Sequence, residues 1–531
     1  MQVQNKKYDA VVVGAGINGL AAAVHLATKG WSVLLLEKSD MAGGAVKTRE
    51  LTLPGFRHDL YAMNLSMFAG SPFFAEHQQL LVEHGLRLCP AERTFASAFP
   101  DGSWLGVERD LEVTAGRIQA LSAKDARRWR QLVAAFGADA PPLFQLLAAP
   151  MPSLALLRVL WRAWRDRGTA WIAGMVRLLT LSPRAWLDRH FENDKLKTTL
   201  AVWGMHLDFP PDMAGGALFP YLESMACQSA GIFIGQGGAD TVIKAMLSAF
   251  RALGGDVLLE TEASEILTQG GHAYGVLLAD GRRMLARRSV IANLGPKVLY
   301  GTLLKSANAS ARRQRERFRH GPGTMMIHLA LDALPQWSAG AELQQYAYVH
   351  LAPSMEAMTA AYAEAVAGLL PRVPVIVVGQ ASAVDPSRAP PGKHVLWIQV
   401  RVLPATVSGD AAGEIAGTQW DDIKEAYADR VLALLETYAP GLSQNVLARV
   451  VLSPQDLERD NPNLVGGDSL GGSHHLDQNL LFRPAFGYSR YRTPVAGLYM
   501  VGASTWPGAG TGAGSGFLCA QLLARSQRKE G

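Results

Sequence analysis

Apolar and polar residues follow three rhythms along the chain, and each predicts a different kind of element. Near the start, Ala10 to Val13 and Ser32 to Leu36 are strand-length apolar runs, with a largely apolar helical stretch from Ile17 to about Thr28 between them. Gly30 stops that stretch, so the segment predicts a strand–helix–strand unit. From about Ala115 to Ala201 the spacing turns helical. Leu156, Leu157, Leu160, Trp161, Trp164, Trp171 and Ile172 are interleaved there with Arg158, Arg162, Arg165 and Arg167. The third rhythm is again mixed. A glycine loop (Gly235, Gly237, Gly238) precedes an amphipathic helix ended by Gly254-Gly255, then a strand from Asp256 and a hairpin through Ala279-Asp280-Gly281. "TMMIHLALD", "VPVIVVGQAS" and "HVLWIQVRV" read as strands of a further sheet, and "DDIKEAYADRVLALLETYAP" as a helix. At the end, strand-like "LYMV" runs into the glycine-rich stretch Gly502 to Gly516 and a final helix.

These rhythms predict an α/β protein whose parts are discontinuous in sequence. Residues 1–75, 230–300 and 480–531 form a Rossmann-type unit, residues 76–114 and 301–479 a mixed-sheet unit, and residues 115–229 a helical insert. Helical period does not say whether the tryptophan-rich face of the insert meets lipid or protein. Both partners stay open: a membrane interface lined by arginines, or a cap with its own core.

Composition narrows the picture. Hydrophobic content of 49% with 18% charged residues suits a large core, and a formal charge of +5 is mild. No Lys/Arg block alternates with aromatics, which argues against nucleic acid as a partner. Cys89, Cys227 and Cys519 are far apart with no CxxC, so neither a disulfide framework nor a redox pair is expected, and a reducing, cytoplasmic setting fits. If the insert meets lipid, that setting becomes peripheral on the inner face of a membrane. The lysine-bearing start has the outline of a secretory signal, but Asp9 and the turn glycines interrupt its apolar run. No run approaches the roughly 18 apolar residues of a membrane span.

The chemistry begins at Gly14, Gly16 and Gly19, spaced G-x-G-x-x-G between the first strand and its helix. The first glycine permits the tight turn, the second admits a pyrophosphate to the backbone, and the third lets the helix close on the strand. Glu37 ends the second strand, where a carboxylate can accept from both ribose hydroxyls. A 2′-phosphate would be repelled there, so NADP is disfavoured and FAD or NAD remain.

The following residues, Gly43-Gly44, Thr48, Gly55 and Asp59, resemble the extended motif of the FAD-containing amine-oxidase and phytoene-desaturase superfamily. The C-terminal "NPNLVGGD" and Gly502–Gly516, with "GGADTVIKAM" and "DPSRAPPGKH", are similar to its phytoene-desaturase and carotenoid-ketolase-like branch and to pyridine-nucleotide-disulfide-oxidoreductase-domain proteins. The resemblance implies FAD, held by Gly14, Gly16, Asn18, Gly19, Glu37, Lys38, Gly43, Gly44, Ala45, Ala263, Gly502, Ala503, Pro507, Gly512 and Ala513. Ala45 departs from the arginine that many members carry after the doublet, leaving Lys47 or Arg49 as stand-ins for its charge. Trp506 departs from a histidine of related desaturases, which suggests shaping of the pocket.

The resemblance implies oxidation of a lipophilic, isoprenoid or otherwise unsaturated substrate by hydride transfer to flavin. Two alternatives stay open: a soluble amine or alicyclic oxidase, and a non-enzymatic flavin-bound scaffold. No second GxGxxG unit is seen for NAD(P)H, so oxygen and a quinone remain as acceptors. No catalytic residue stands out. His58 and Asp59, just past the doublet, and Trp506 are the candidates, with a structural role for the first two weighing more. His328, His394 and the pair His474-His475 lack ligand spacing, so no metal is expected.

Overall fold

The computed structural model describes residues 7–305 and 308–527. Lys7–Val13 pairs in parallel with Val33–Leu36 on one side and Arg283–Ala292 on the other. Asp256–Leu258 extends that sheet in parallel beyond Val33–Leu36. Arg283–Ala292 is long enough to take two neighbours along its second edge. Its first residues pair antiparallel with His272–Leu278, and its last pair in parallel with Leu498–Met500. One sheet therefore collects strands from the beginning, middle and end of the chain. The helix Ile17–Thr28 packs on the helices Thr241–Ala252 and Gly514–Gln527.

A second sheet of seven strands has the order Val446–Leu452, Gly323–Leu331, His394–Leu403, Val375–Gly379, Tyr348–Leu351, Arg93–Ala98, Trp104–Glu108. Its pairs are antiparallel except Tyr348–Leu351 with Arg93–Ala98, so the sheet is mixed. Every residue of Gly323–Leu331 is buried, which is why that strand reads as an unbroken apolar run rather than an alternation. Helix Trp420–Tyr438 covers one face, Ile423, Tyr427, Val431 and Leu435 sharing a core with Ile327, Leu329 and Ile398. On the other face Phe95, Met326, Val377 and Trp397 share a core with Trp129, Leu200, Trp203 and Met225 of the helical region.

That helical region contains Leu111–Leu121, Ala123–Leu147, Leu154–Thr180, Pro183–His190, Asp194–Met205 and Leu218–Ala230. Leu154–Thr180 is broken at Gly168 (φ 78°). Beyond the break Trp171 is tied down, its indole N–H donating to Asp139 at 2.7 Å. Before the break the apolar face lacks cover: Leu154, Leu157, Trp161 and Trp164 are 50–71% exposed. These two tryptophans do not fill a core of the chain's own. Among the described residues, no helix is long and apolar enough to cross a membrane.

Candidate functional site

Val13 is in register with Leu36 and Ala292, and Ala292 with Met500, so four parallel strands end level. The loops leaving those ends converge on one edge of the sheet, where open α/β sheets place ligands. They enclose a cavity of about 410 Å³. Of the residues expected to hold a cofactor, Gly14, Gly16, Asn18, Glu37, Lys38, Gly43, Gly44, Ala45, Ala263, Gly502 and Ala503 line it. Gly19 stands behind them. A Cβ there would lie 2.1 Å from the Gly14 carbonyl oxygen, so glycine is what lets the helix begin so close to the turn.

No side chain caps the helix Ile17–Thr28, and Gly16, Ile17 and Asn18 all line the cavity. Its positive end and first-turn N–H groups are thus available to an anion. Gly43 N–H donates to the Ala15 carbonyl at 2.9 Å, laying the glycine doublet beside the fingerprint turn. Glu37 accepts from Ala15 N–H at 2.8 Å and from Ser39 N–H at 3.0 Å, one on each carboxylate oxygen. Each oxygen keeps acceptor capacity for a hydroxyl. Thr261 N–H donates to the Glu37 carbonyl at 2.8 Å, which keeps Ala263 and its neighbours on the same wall. Bare backbone, a helix N-terminus and a fixed carboxylate are the donor and acceptor set a dinucleotide needs.

Neither stand-in for the missing arginine is a free cation. Lys47 is buried at the cavity wall, but its Nζ donates to Asp460 at 3.0 Å, and Asp460 also accepts from Tyr61 at 2.8 Å. Arg49 pairs with Asp40 at 2.6 Å instead.

Pro507, Gly512 and Ala513 do not line this cavity. They line a second one of about 700 Å³, together with Met67, Phe74, Phe136, Phe144, Leu147, Leu222, Phe233 and Phe517. Asn18 and Gly510 line both, so the cavities meet there. The candidate catalytic residues lie in neither. His58 is buried against His328 and hydrogen-bonded to Thr52 at 2.8 Å. Desolvation, with Arg388 nearby, pushes its imidazole down to about 4. Asp59 accepts from Thr48, Ala239 N–H and Arg388. The Trp506 indole sits in the core with its N–H on the Ala149 carbonyl at 2.9 Å, and it lines neither cavity. His58, Asp59 and Trp506 are thus held by neighbouring side chains and backbone, away from both cavities.

The sequence reading missed Asn293, Asn461, Asn463, Ser469 and Gly471 as lining residues. Asn463 accepts from Gly295 N–H at 2.8 Å and thereby clips the "NPN" tripeptide onto the sheet edge. The tripeptide itself was the available signal. His25, Glu76 and His77 form a histidine–carboxylate cluster that sequence spacing also hid, and Lys29 already pairs with Glu76 at 3.3 Å.

A model of the family described as flavin containing amine oxidoreductase matches residues 17–523. The chain is 30% identical to pyridine nucleotide-disulfide oxidoreductase domain-containing protein 2 of Mus musculus, over 98% of this chain and 94% of that one. It is 25% identical to a limonene dehydrogenase polypeptide of Castellaniella defragrans, over 98% and 95%. It is 27% identical to a phytoene desaturase of Fusarium fujikuroi, over 97% and 89%. Among solved structures, an oxidoreductase from Methanosarcina mazei superposes with a TM-score of 0.60 at 20% identity, over 97% and 99% of the two chains.

Proposed function

The chain belongs to the flavin-containing amine oxidoreductases, and from that premise we propose that it oxidises a lipophilic, unsaturated substrate of isoprenoid type. It is an FAD-dependent oxidoreductase. When bound, FAD would supply a two-electron acceptor for a hydride leaving a substrate C–H bond. In this reading the first cavity holds the cofactor, with Glu37 on the ribose and the N-terminus of Ile17–Thr28 on the pyrophosphate. The second cavity takes the substrate, and the junction at Asn18 and Gly510 is where the two meet.

One observation carries the substrate class: the second cavity is walled mainly by phenylalanine, leucine, valine, alanine and glycine residues, with Asn18, Ser66, Ser71, Gln78 and Ser229 as uncharged polar residues and a single ionisable side chain among them. An apolar substrate is drawn into such a wall by about 25 cal/mol for each Å² removed from water, and excluding water favours hydride transfer over side reactions. The names of the limonene dehydrogenase and phytoene desaturase relatives point to hydrocarbon substrates for those proteins, which supports the same reading here. The test is anaerobic mixing of the FAD-loaded protein with terpenes and with primary amines, following loss of the oxidised flavin absorbance. Bleaching by terpenes supports the proposal, and bleaching by amines alone overturns it.

Two further outcomes follow. Glu37→Gln places an amide N–H against Ala15 N–H or Ser39 N–H and removes a charge-assisted acceptor, so FAD affinity should drop about tenfold or more, read as the flavin-to-protein ratio after dialysis. Leu154, Leu157, Trp161 and Trp164 give the Leu154–Thr180 helix an exposed apolar face with Arg158, Arg162 and Arg165 beside it. That face supports peripheral association with a bilayer, which would deliver such a substrate. Trp161→Glu with Trp164→Glu should then abolish co-sedimentation with anionic phospholipid vesicles while leaving flavin content unchanged.

A further inference from the structure

The second cavity is lined mostly by apolar residues, and one ionisable side chain stands among them. Glu223 lies on the helix Leu218–Ala230 and lines the cavity with Leu222, Ala226 and Ala230. It is the sole ionisable residue among those lining residues. Several buried or half-buried carboxylates elsewhere in the protein are held by partners. Asp59 and Asp385 hold Arg388, Asp139 is held by Arg167 and Trp171, and Asp410 by Arg430. Glu223 is half-buried at the cavity wall, and no group of the described residues hydrogen-bonds or ion-pairs with it. Burial alone, with nothing to offset it, pushes its carboxyl up to about 7.

A carboxyl in an apolar environment costs free energy unless something completes its hydrogen bonds. Replacing it by leucine would remove that cost and extend the wall. The cavity therefore has the form of a site whose last polar partner arrives with the ligand. Resting on the lipophilic-substrate reading, we propose that Glu223 is a specificity-determining residue that receives a hydroxyl group on an otherwise apolar, unsaturated substrate. A hydroxyl suits the position better than an ammonium. It can donate to the carboxylate or accept from the carboxylic acid, so it pairs with either form, and it brings no second charge into the apolar wall. The preferred ligand is accordingly a terpenoid alcohol rather than a bare hydrocarbon.

The test compares three probes of one carbon skeleton, farnesene, farnesol and farnesylamine, titrated into the FAD-loaded full-length protein and followed by perturbation of the flavin absorbance spectrum. The expected result is farnesol binding about tenfold more tightly than farnesene. Glu223→Leu should erase that difference by weakening farnesol while leaving farnesene unchanged, and Glu223→Gln should keep part of it. The thermal midpoint is the second readout: Glu223→Leu should be at least as stable as the parent protein, since it removes an unpaired acid. Equal binding of farnesol and farnesene, a preference that survives Glu223→Leu, or tightest binding of farnesylamine each overturns the proposal while leaving the lipophilic reading standing. Failure of farnesene and farnesol alike to bind removes the lipophilic reading, and the proposal with it.

Discussion

Arg388→Met is expected to destabilise the protein by about 3–5 kcal/mol. Arg388 is fully buried, and its guanidinium is spent on three acceptors. Nε donates to Asp385 at 3.0 Å, one Nη to Asp59 at 2.8 Å and the other to the Gly235 carbonyl at 2.7 Å. Asp385 also accepts from Gly237 N–H at 2.6 Å, and Asp59 from Ala239 N–H at 2.7 Å. One side chain thus joins the strand Arg57–Asp59, the Gly235–Gly238 loop and the Asp385–Arg388 turn. Methionine would fill much of the volume but leave two carboxylates buried without their cation. Asp59→Asn turns an amide N–H toward the guanidinium and should cost about 3 kcal/mol by the same logic. Urea unfolding followed by circular dichroism measures both. Were Asp59 a reacting group, Asp59→Asn would keep its stability and lose flavin reduction; the network predicts the opposite pattern.

That network shows where the sequence stops being legible. "DPSRAPPGKH" reads correctly as a turn between strands, because proline and glycine act locally. Nothing local says that its arginine will meet Asp59, 329 residues away. The same contrast runs through the fold. The fingerprint glycines, Gly30 and the hairpin at Asp280 are legible because each sets backbone geometry at its own position. The runs Thr324–Asp332 and His394–Leu403 are legible because their strands are buried on both faces. Arg93–Ala98 and Trp104–Glu108 are strands of the second sheet that no local pattern announces, since their pairing with Tyr348–Leu351 is set by the whole sheet.

The site divides in the same way. Of the backbone-contributing residues at the first cavity, Gly14 and Gly16 are found from spacing, and Gly43, Gly44, Gly502 and Ala503 from the family resemblance. Residues that contribute position, Asn293 and Asn463, need the strand ends brought level before they mean anything. The glycine-rich C-terminal stretch is the instructive case. It reads as one wall of one site, and the structure divides it: Gly502 and Ala503 stand at the first cavity, Pro507, Gly512 and Ala513 at the second, with Gly510 between.

Gly516→Ala is the second substitution expected to do large damage, and it reaches the site through packing alone. A Cβ at Gly516 would lie 1.8 Å from the Asn18 carbonyl oxygen and 3.0 Å from the Asn18 Cα, whereas non-bonded heavy atoms settle at about 3.5 Å or more. The obstacle is backbone, so no side chain can rotate away. The helices Gly514–Gln527 and Ile17–Thr28 would have to separate, disturbing a core that contains Ile17, Leu20, Ala21, Phe517 and Ala520. Overpacking of this kind costs about 1–3 kcal/mol, and a backbone clash belongs at the upper end. Asn18 lines both cavities, and its side-chain oxygen accepts from Gly516 N–H at 3.3 Å. The shift therefore moves the first turn of the helix Ile17–Thr28, which lines the first cavity, and flavin retention should fall along with the thermal midpoint. Ala520→Gly, on the same helix, removes a methyl group without the clash and serves as the control. Loss of flavin in Gly516→Ala with retention in Ala520→Gly would place the cause in helix separation, whereas equal flavin content in both would show that the first turn of Ile17–Thr28 keeps its place without a close-packed partner.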